Sequence, residues 1–200
     1  MAEFRDAAPR LLGLIFEEEA DMHVGEACAC GGSAKRTTRC RDCFCYEISC
    51  SNCFINAHRN LPTHWAEVWD FSQGFFIRHD IAMLQEDVAS INLGHYGQPC
   101  HSAHATLNIF EVIDTNGIHK TKIRFCTCQG SADRTEQLMR AQLFPATIAQ
   151  PTMAFTFRVL RQFHIHHLEG KESVHDFIGA LRRLSDNMFP QRVPVRLIFT

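Results

Sequence analysis

The sequence is short of several things, and each shortage narrows the reading. Nothing in its 200 residues approaches the run of about 18 apolar residues that a membrane-spanning helix needs, so no membrane contact is expected. No secretory leader is expected either: the chain opens MAEFRD, without a basic stretch, and the apolar residues 11–16 are few and broken by Gly13. An oxidising compartment is therefore not expected, which argues against a disulfide framework. There is no excess of positive charge. The formal net charge is −2, unlike the overall basicity of a typical nucleic-acid-binding domain. Trp and Tyr are scarce, two of each against sixteen Phe, so the aromatic surface leans toward packing. Internal repeats and low-complexity linkers are absent. A hydrophobic content of 46% is ordinary for a globular chain, and the length suits one domain, or a small metal-built module beside a modest core.

What the chain has in quantity is cysteine, ten residues, and histidine, twelve. Residues 28–64 hold four pairs of metal-type side chains: Cys28 and Cys30, Cys40 and Cys43, Cys50 and Cys53, His58 and His64. Eight ligands suffice for two tetrahedral zinc ions. The two C-x-x-C spacings supply tight turns whose backbone amides also stabilise thiolates. Spacing alone permits two arrangements. Consecutive pairs can share an ion, or the first pair can join the third and the second the fourth. The order of pairs resembles that of B-box and ZZ-type fingers, which are cross-braced. That likeness favours Cys28, Cys30, Cys50 and Cys53 for one ion and Cys40, Cys43, His58 and His64 for the other. Cys45 reads as a spare thiol, able to replace Cys43 if the loop shifts.

Along the chain, residues 3–20 predict an amphipathic helix, with Pro9 best placed in its first turn and Glu17, Glu18 and Glu19 as a solvated face. Residues 44–49 alternate weakly, as one arm of a small hairpin. Residues 54–61 predict a short helical turn ending before Pro62. Trp65, Val68, Trp69 and Phe71 form an apolar cluster. Residues 75–88 show helical periodicity, with Asp80 as a cap. The strongest strand signal is residues 105–113 followed by 118–126, joined through Asn116-Gly117, where both residues tolerate positive φ. Lys120, Lys122 and Arg124 would line one face of that hairpin. Helices are predicted over 133–143, over 154–167, and from an N-cap at Ser173 to Asp186. The expected organisation is a leader at 1–25, a double zinc finger at 26–70, a helix and hairpin at 71–130, a helical region at 131–188 and a tail at 189–200. The fold class is α+β: a small cross-braced zinc module, a β-hairpin with a further zinc site, then a helical C-terminal part.

That further site follows from the hairpin. Folding back at Asn116-Gly117 returns Cys126 and Cys128 near residue 105, five residues past Cys100. Three sulfurs would meet there, with His95, His101 or His104 as the nitrogen ligand.

Several stretches in order carry a resemblance: RCRDCFCYEISCSNCFINAHRNLPTHWAEVW, INLGHYGQPC, FEVIDTNGIHKTKIRFCTC, QLMRAQLFPAT, AFTFRVLRQFH and KESVHDFIGALRRLSDN. Across roughly residues 28–187 they resemble the CxC-like cysteine-cluster module associated with KDZ (Kyakuja-Dileera-Zisupton) transposases. The shared LGH-to-cysteine arrangement makes His95 the preferred nitrogen ligand of the third site. The resemblance implies a zinc-binding region ahead of an RNase H-like DDE core, and a nuclear location. The chain is expected to stop before such a core, as a truncated copy, an altered gene model or a fragment. Asp114, Asp176 and Asp186 have no catalytic context. Asp114 reads as a turn residue and Asp186 as a structural residue near a helix end.

Three functions compete. The first is a non-catalytic zinc module of a transposase-derived protein, which binds DNA or assembles with protein partners of a transposition complex. Lys35, Arg36, Arg39 and Arg41, or the hairpin's basic face, would meet phosphates. The second is a B-box-like protein-interaction adaptor. The third is an enzyme using Cys45 or Cys100, which closed four-ligand sites disfavour because they leave no open coordination position. His164, His166 and His167 read as a surface cluster.

Overall fold

The computed structural model describes residues 2–44, 46–85, 91–102 and 107–193. It divides into two compact units, Met1–His58 with His64–His79, and Arg59–Thr63 with Asp80–Thr200. Among the described residues no helix is long and apolar enough to cross a membrane.

The first unit opens with α1 (Ala2–Glu19), a helix that runs through Pro9 instead of starting there. Ala7 and Ala8 are strong helix formers on either side of the face shared by Phe4, Leu11 and Ile15, and they carry the pattern upstream of the proline. Its acidic end is exposed, as expected of a solvated face, and two of its glutamates also reach the rest of the unit. Glu19 pairs with Arg41 at 2.9 Å, the Glu18 carboxylate accepts from the Tyr46 hydroxyl, and the Glu18 carbonyl accepts from Arg39.

β1 (Thr38–Arg39) pairs antiparallel with β2 (Trp65–Asp70), which lies beside β3 (Phe75–Asp80). Residues 44 and 46–49 form no strand, only a bridge between Thr38 and Ser49, and Cys45 lies outside the described residues. The helix expected from residue 75 is β3 followed by a single 3-10 turn at Ile81–Met83, with Asp80 at its N-cap position but no side-chain capping bond. Tertiary contacts override the helical period here: Phe76 packs edge-on to Trp69 and lies 3.6 Å beneath the fully buried Arg39 guanidinium. Between β1 and β2 sits α2 (Ser51–Ala57), which buries Phe54 and Ile55.

The second unit is built on a five-stranded sheet in the order β4-β6-β5-β8-β7, where β4 is Ile91–Asn92, β5 Leu107–Asp114, β6 Gly117–Arg124, β7 Leu143–Pro145 and β8 Met153–Thr156. Strands β5 and β6 are the expected hairpin, but its two loop residues are Thr115 and Asn116, neither with positive φ. Gly117, at φ 141°, opens β6. Asn116 serves as a tie: its amide donates to the Thr63 carbonyl at 2.8 Å, and its Oδ1 meets His119 Nε2 at 2.9 Å.

Alternation along β6 puts His119, Thr121 and Ile123 inward and leaves Lys120 exposed, with Lys122 and Arg124 half-exposed. One sheet face packs Phe110, Val112 and Ile123 against Leu138 of α3 (Arg134–Arg140), which Asp133 caps. The other packs Ile113, Ile118 and Met153 against Val159 of α4 (Phe157–Gly170) and Phe177, Ile178 and Leu181 of α5 (Val174–Ser185). Two predicted helices give ground to strands. Residue 143 belongs to β7 and residues 153–156 to β8, because Ala154 is fully buried opposite Val112 and Thr156 is the N-cap of α4. The C-terminal part is therefore helical and stranded, not helical alone. Ser173 caps α5, and Asp186 accepts from the amides of Met188 and Phe189 in the turn after it.

Candidate metal centres

Among the described residues, three groups of four Cys and His residues each place their ligand atoms within 4.8 Å of one another. The first is Cys28, Cys30, Cys50 and Cys53. The second is Cys40, Cys43, His58 and His64. The third is His95, Cys100, Cys126 and Cys128. The pairs between 28 and 64 thus interleave, first with third and second with fourth.

In the first unit α2 sets this arrangement. Cys50 is its N-cap and Cys53 lies in its first turn, whereas His58 is its C-cap. The helix rises about 10 Å over its seven residues, so its two ends serve different groups. Cys40 directly follows β1, and His64 directly precedes β2. Histidine tautomers are set locally. His58 Nδ1 donates to the Phe54 carbonyl at 2.9 Å, which leaves Nε2 to face Cys43 Sγ at 3.4 Å. His64 presents Nδ1 instead, 3.4 Å from both Cys40 and Cys43.

The third group forms where the chain after β6 meets the loop at residues 94–100. His95 Nε2 lies 3.3 Å from Cys126 Sγ and 3.4 Å from Cys128 Sγ, and Cys100 Sγ lies 3.8 and 3.6 Å from the same two sulfurs. Of the rival nitrogens, His101 packs edge-on to His95, ring centroids 5.6 Å apart, outside the group, and His104 lies outside the described residues.

These separations fit a tetrahedral ion. Zinc–sulfur bonds of about 2.3 Å and zinc–nitrogen bonds of about 2.0 Å give tetrahedral edges of roughly 3.8 Å between sulfurs and roughly 3.5 Å between sulfur and nitrogen. A disulfide would need about 2.05 Å, and the nine described cysteines are all free. The protonation chemistry agrees. Backbone N–H groups of Cys30 and Cys50 pull the Cys28 thiol down to about 6, and those of Thr127 and Ser102 pull Cys100 down to about 6. Burial pushes Cys40 up to about 12, and neighbouring thiols push Cys53 up to about 12 and Cys128 up to about 11. Such crowded sulfurs cannot all ionise unless a cation joins them.

Two residues that the sequence did not single out shape the third group. Gln137, buried on α3, accepts from the Cys126 N–H at 2.8 Å and donates to the Cys126 carbonyl at 3.0 Å, so it holds the ligand's backbone as a neighbouring strand would. No local motif marks that amide. Gly94, at φ 81°, runs so close to Cys126 that a Cβ would sit 2.8 Å from the Cys126 Cβ. The Gly94→Ala variant is therefore expected to lose one of three bound ions and to be destabilised by about 1–3 kcal/mol. Metal analysis with denaturant melting checks this, and a variant that keeps all its metal refutes it.

Among the described residues, the remaining candidates gather no group. Cys45 lies outside the described residues. His166 pairs with Glu172, and His167 meets the Glu172 carbonyl. Asp114 is more than a turn residue: its buried carboxylate accepts from Thr115 N–H and Thr156 Oγ1 at 2.8 Å and from Arg158.

A family model for the CxC2-like cysteine cluster associated with KDZ transposases matches residues 84–189, just over half of the chain. No curated protein and no solved structure matches it. The matched span holds the whole third group and the five-stranded sheet, and the first two groups precede it. With just over half its length matched, including all four residues of the third group, the chain belongs to the family of CxC2-like cysteine clusters associated with KDZ transposases.

Proposed function

We propose that the chain is a non-catalytic, nuclear zinc module that serves protein assembly in transposition, with a B-box-like cross-brace in its first unit. The three ligand sets are four cysteines, two cysteines with two histidines, and three cysteines with one histidine. Structural zinc occupies sets of all three kinds, and four protein ligands leave no position for a reacting water. The observation that carries the reading is the fate of the basic run in the first finger. Arg39 is buried against Glu67 and Phe76, Arg41 pairs with Glu19 and Glu67, and Arg36 pairs with Glu47, whereas Lys35 stays exposed over the Phe71 ring. Charges neutralised internally release no counterions from DNA.

A second reading, DNA contact through the hairpin, is favoured by the row of Lys120, Lys122 and Arg124 on one face of β6. Titration of the metal-loaded chain with duplex DNA separates the two. Assembly predicts binding no tighter than about 10⁻⁴ M at physiological salt. Micromolar binding that falls about fortyfold between about 50 and 200 mM salt, as three phosphate contacts require, and is lost in a Lys120→Ala, Lys122→Ala, Arg124→Ala variant, would establish DNA contact instead.

A further inference from the structure

We infer that Asn116 and Arg158 position His64, a ligand of the second metal group, by holding the residue before it, Thr63. Neither side chain belongs to the group. The positioning role presumes a metal ion in that group and is independent of any part in transposition.

The course of the chain points to it first. His58 and His64 are both in the second group, and both lie in the first unit. The five residues between them, Arg59–Thr63, belong to the second unit. Arg59, Asn60 and Leu61 are exposed, whereas Thr63 is buried. Thr63 is the buried end of this short loop, one peptide bond from a ligand.

The hold on Thr63 is polar and made within the second unit. Asn116, in the loop between β5 and β6, donates through Nδ2 to the Thr63 carbonyl at 2.8 Å. Arg158, in the first turn of α4, donates through Nη2 to Thr63 Oγ1 at 2.9 Å. Both donors are themselves fixed. Asn116 Oδ1 meets Nε2 of the fully buried His119 at 2.9 Å, which leaves the amide NH₂ to face Thr63. The Asp114 carboxylate accepts from Arg158 Nε at 2.6 Å. On the other flank of His64, the Trp65 N–H donates to Asp42 Oδ2 at 2.7 Å, and Asp42 sits between the ligands Cys40 and Cys43. One neighbour of His64 is thus tied to the turn that carries its fellow ligands, and the other to the β5–β6 hairpin.

A ligand held in place before the ion arrives has less freedom to lose on binding. Groups that orient metal ligands change affinity about ten- to a hundredfold for that reason. Releasing Thr63 would leave the exposed loop and His64 to be ordered by the ion alone. By linkage, the ion strengthens the hold on Thr63 by the same factor. The tie also joins a ligand that precedes the family-matched span to a hairpin inside it.

The test is cadmium NMR of the full chain loaded with cadmium in place of zinc, with nitrilotriacetate competing for the metal. Thiolate number governs the cadmium shift, so sets with two, three and four cysteines report their occupancy separately. Asn116→Ala is expected to raise the dissociation constant of the ion at Cys40, Cys43, His58 and His64 about tenfold, and to leave the other two within about twofold. Asn116→Asp keeps an oxygen for His119 and loses only the donor to Thr63. It should act in the same way, and it carries the test if Asn116→Ala fails to fold. Ile178→Ala weakens the core of the second unit without touching Thr63. It should lower the melting temperature and leave all three constants unchanged. A two-cysteine site indifferent to both Asn116 changes overturns the positioning role. So does equal weakening by Ile178→Ala, which would make the effect one of general stability. A wild type with no two-cysteine resonance overturns the metal reading of that group, and the positioning role with it.

Discussion

Chelation is expected to remove three ions per chain and to unfold the first unit while leaving the sheet of the second largely intact. The first unit has little else to hold it. Among its described residues the buried apolar ones, apart from the ligands, are Ile48, Phe54, Ile55 and Ala66. Four such side chains do not offset the conformational entropy of ordering a module of this length. Structural zinc contributes on the order of 10 kcal/mol to the folding of small modules, comparable with the whole stability of an ordinary domain. The second unit is different. It buries two apolar clusters, one on each face of a five-stranded sheet, so losing the ion from its single group should loosen the loop at residues 94–100 and the segment after β6 before it melts the strands. Native mass spectrometry should count three ions, falling to two in a Cys126→Ser, Cys128→Ser variant. Proteolysis after chelation should cut within residues 26–79 first. A chelated chain that keeps its native spectrum and its protease resistance there would refute the expectation.

The next largest effect is expected at a residue outside every metal group. Replacing Asp114 with Ala should destabilise the second unit by about 2–4 kcal/mol at neutral pH. The carboxylate is fully buried at the end of β5, where burial alone would raise its pKa, yet the Arg158 guanidinium and hydrogen bonds from Thr63, Thr115 and Thr156 hold it down to about 2. Removing it takes the carboxylate from Arg158, which keeps its bond to Thr63 Oγ1, and leaves donors of Thr156 and Thr115 without that acceptor. Because Arg158 is 58% exposed, its charge can return to water, which keeps the cost below that of breaking a fully buried pair.

The pH dependence follows from the direction of the shift. A carboxyl lowered from 3.8 to about 2 on folding contributes about 2 kcal/mol that is present above pH 4 and is lost as pH falls toward 2. The stability difference between wild type and Asp114→Asn should therefore be constant near neutrality and shrink across that window. The difference is the right readout, since proton competition for the metal ligands weakens both chains alike. A gap that stays flat down to pH 2 would contradict the assignment.

Much of the helical content was legible in the sequence because caps and periodicity are local. Ser173 before Val174 and Asp133 before Arg134 are side chains that accept from amides three residues on, and they mark where α5 and α3 begin. The strands were less legible. Phe75, Phe76 and Ile77 fit a helical period as well as a strand, and only Trp69 and Arg39 packed against Phe76 decide for β3. Residues 153–156 read as the start of a helix until Ala154 is seen buried opposite Val112, a contact between residues far apart in sequence. The two-residue β4 gives almost no sequence signal and joins the sheet only by pairing parallel with β6.

The sequence by itself determined which side chains could hold metal and in what pairs, because C-x-C and C-x-x-C spacings place two sulfurs on one turn whatever the rest of the chain does. It also determined that the chain turns back near Asn116, which brings Cys126 and Cys128 toward Cys100. Three matters were left to the tertiary structure. One is which pairs stand together: spacing is silent there, whereas α2, carrying Cys50 and Cys53 at one end and His58 at the other, separates them by its own length. Another is the company each group keeps, since the Gln137 amide and the bare backbone of Gly94 act on Cys126 only through space. The last is the meaning of charge. Lys35, Arg36, Arg39 and Arg41 form a basic run in the sequence, but Arg39 is buried against Glu67, and Arg36 and Arg41 pair nearer the surface with Glu47 and Glu19. Whether a charge faces a partner or a neighbour is set by contacts between segments distant along the chain, which local patterns do not encode.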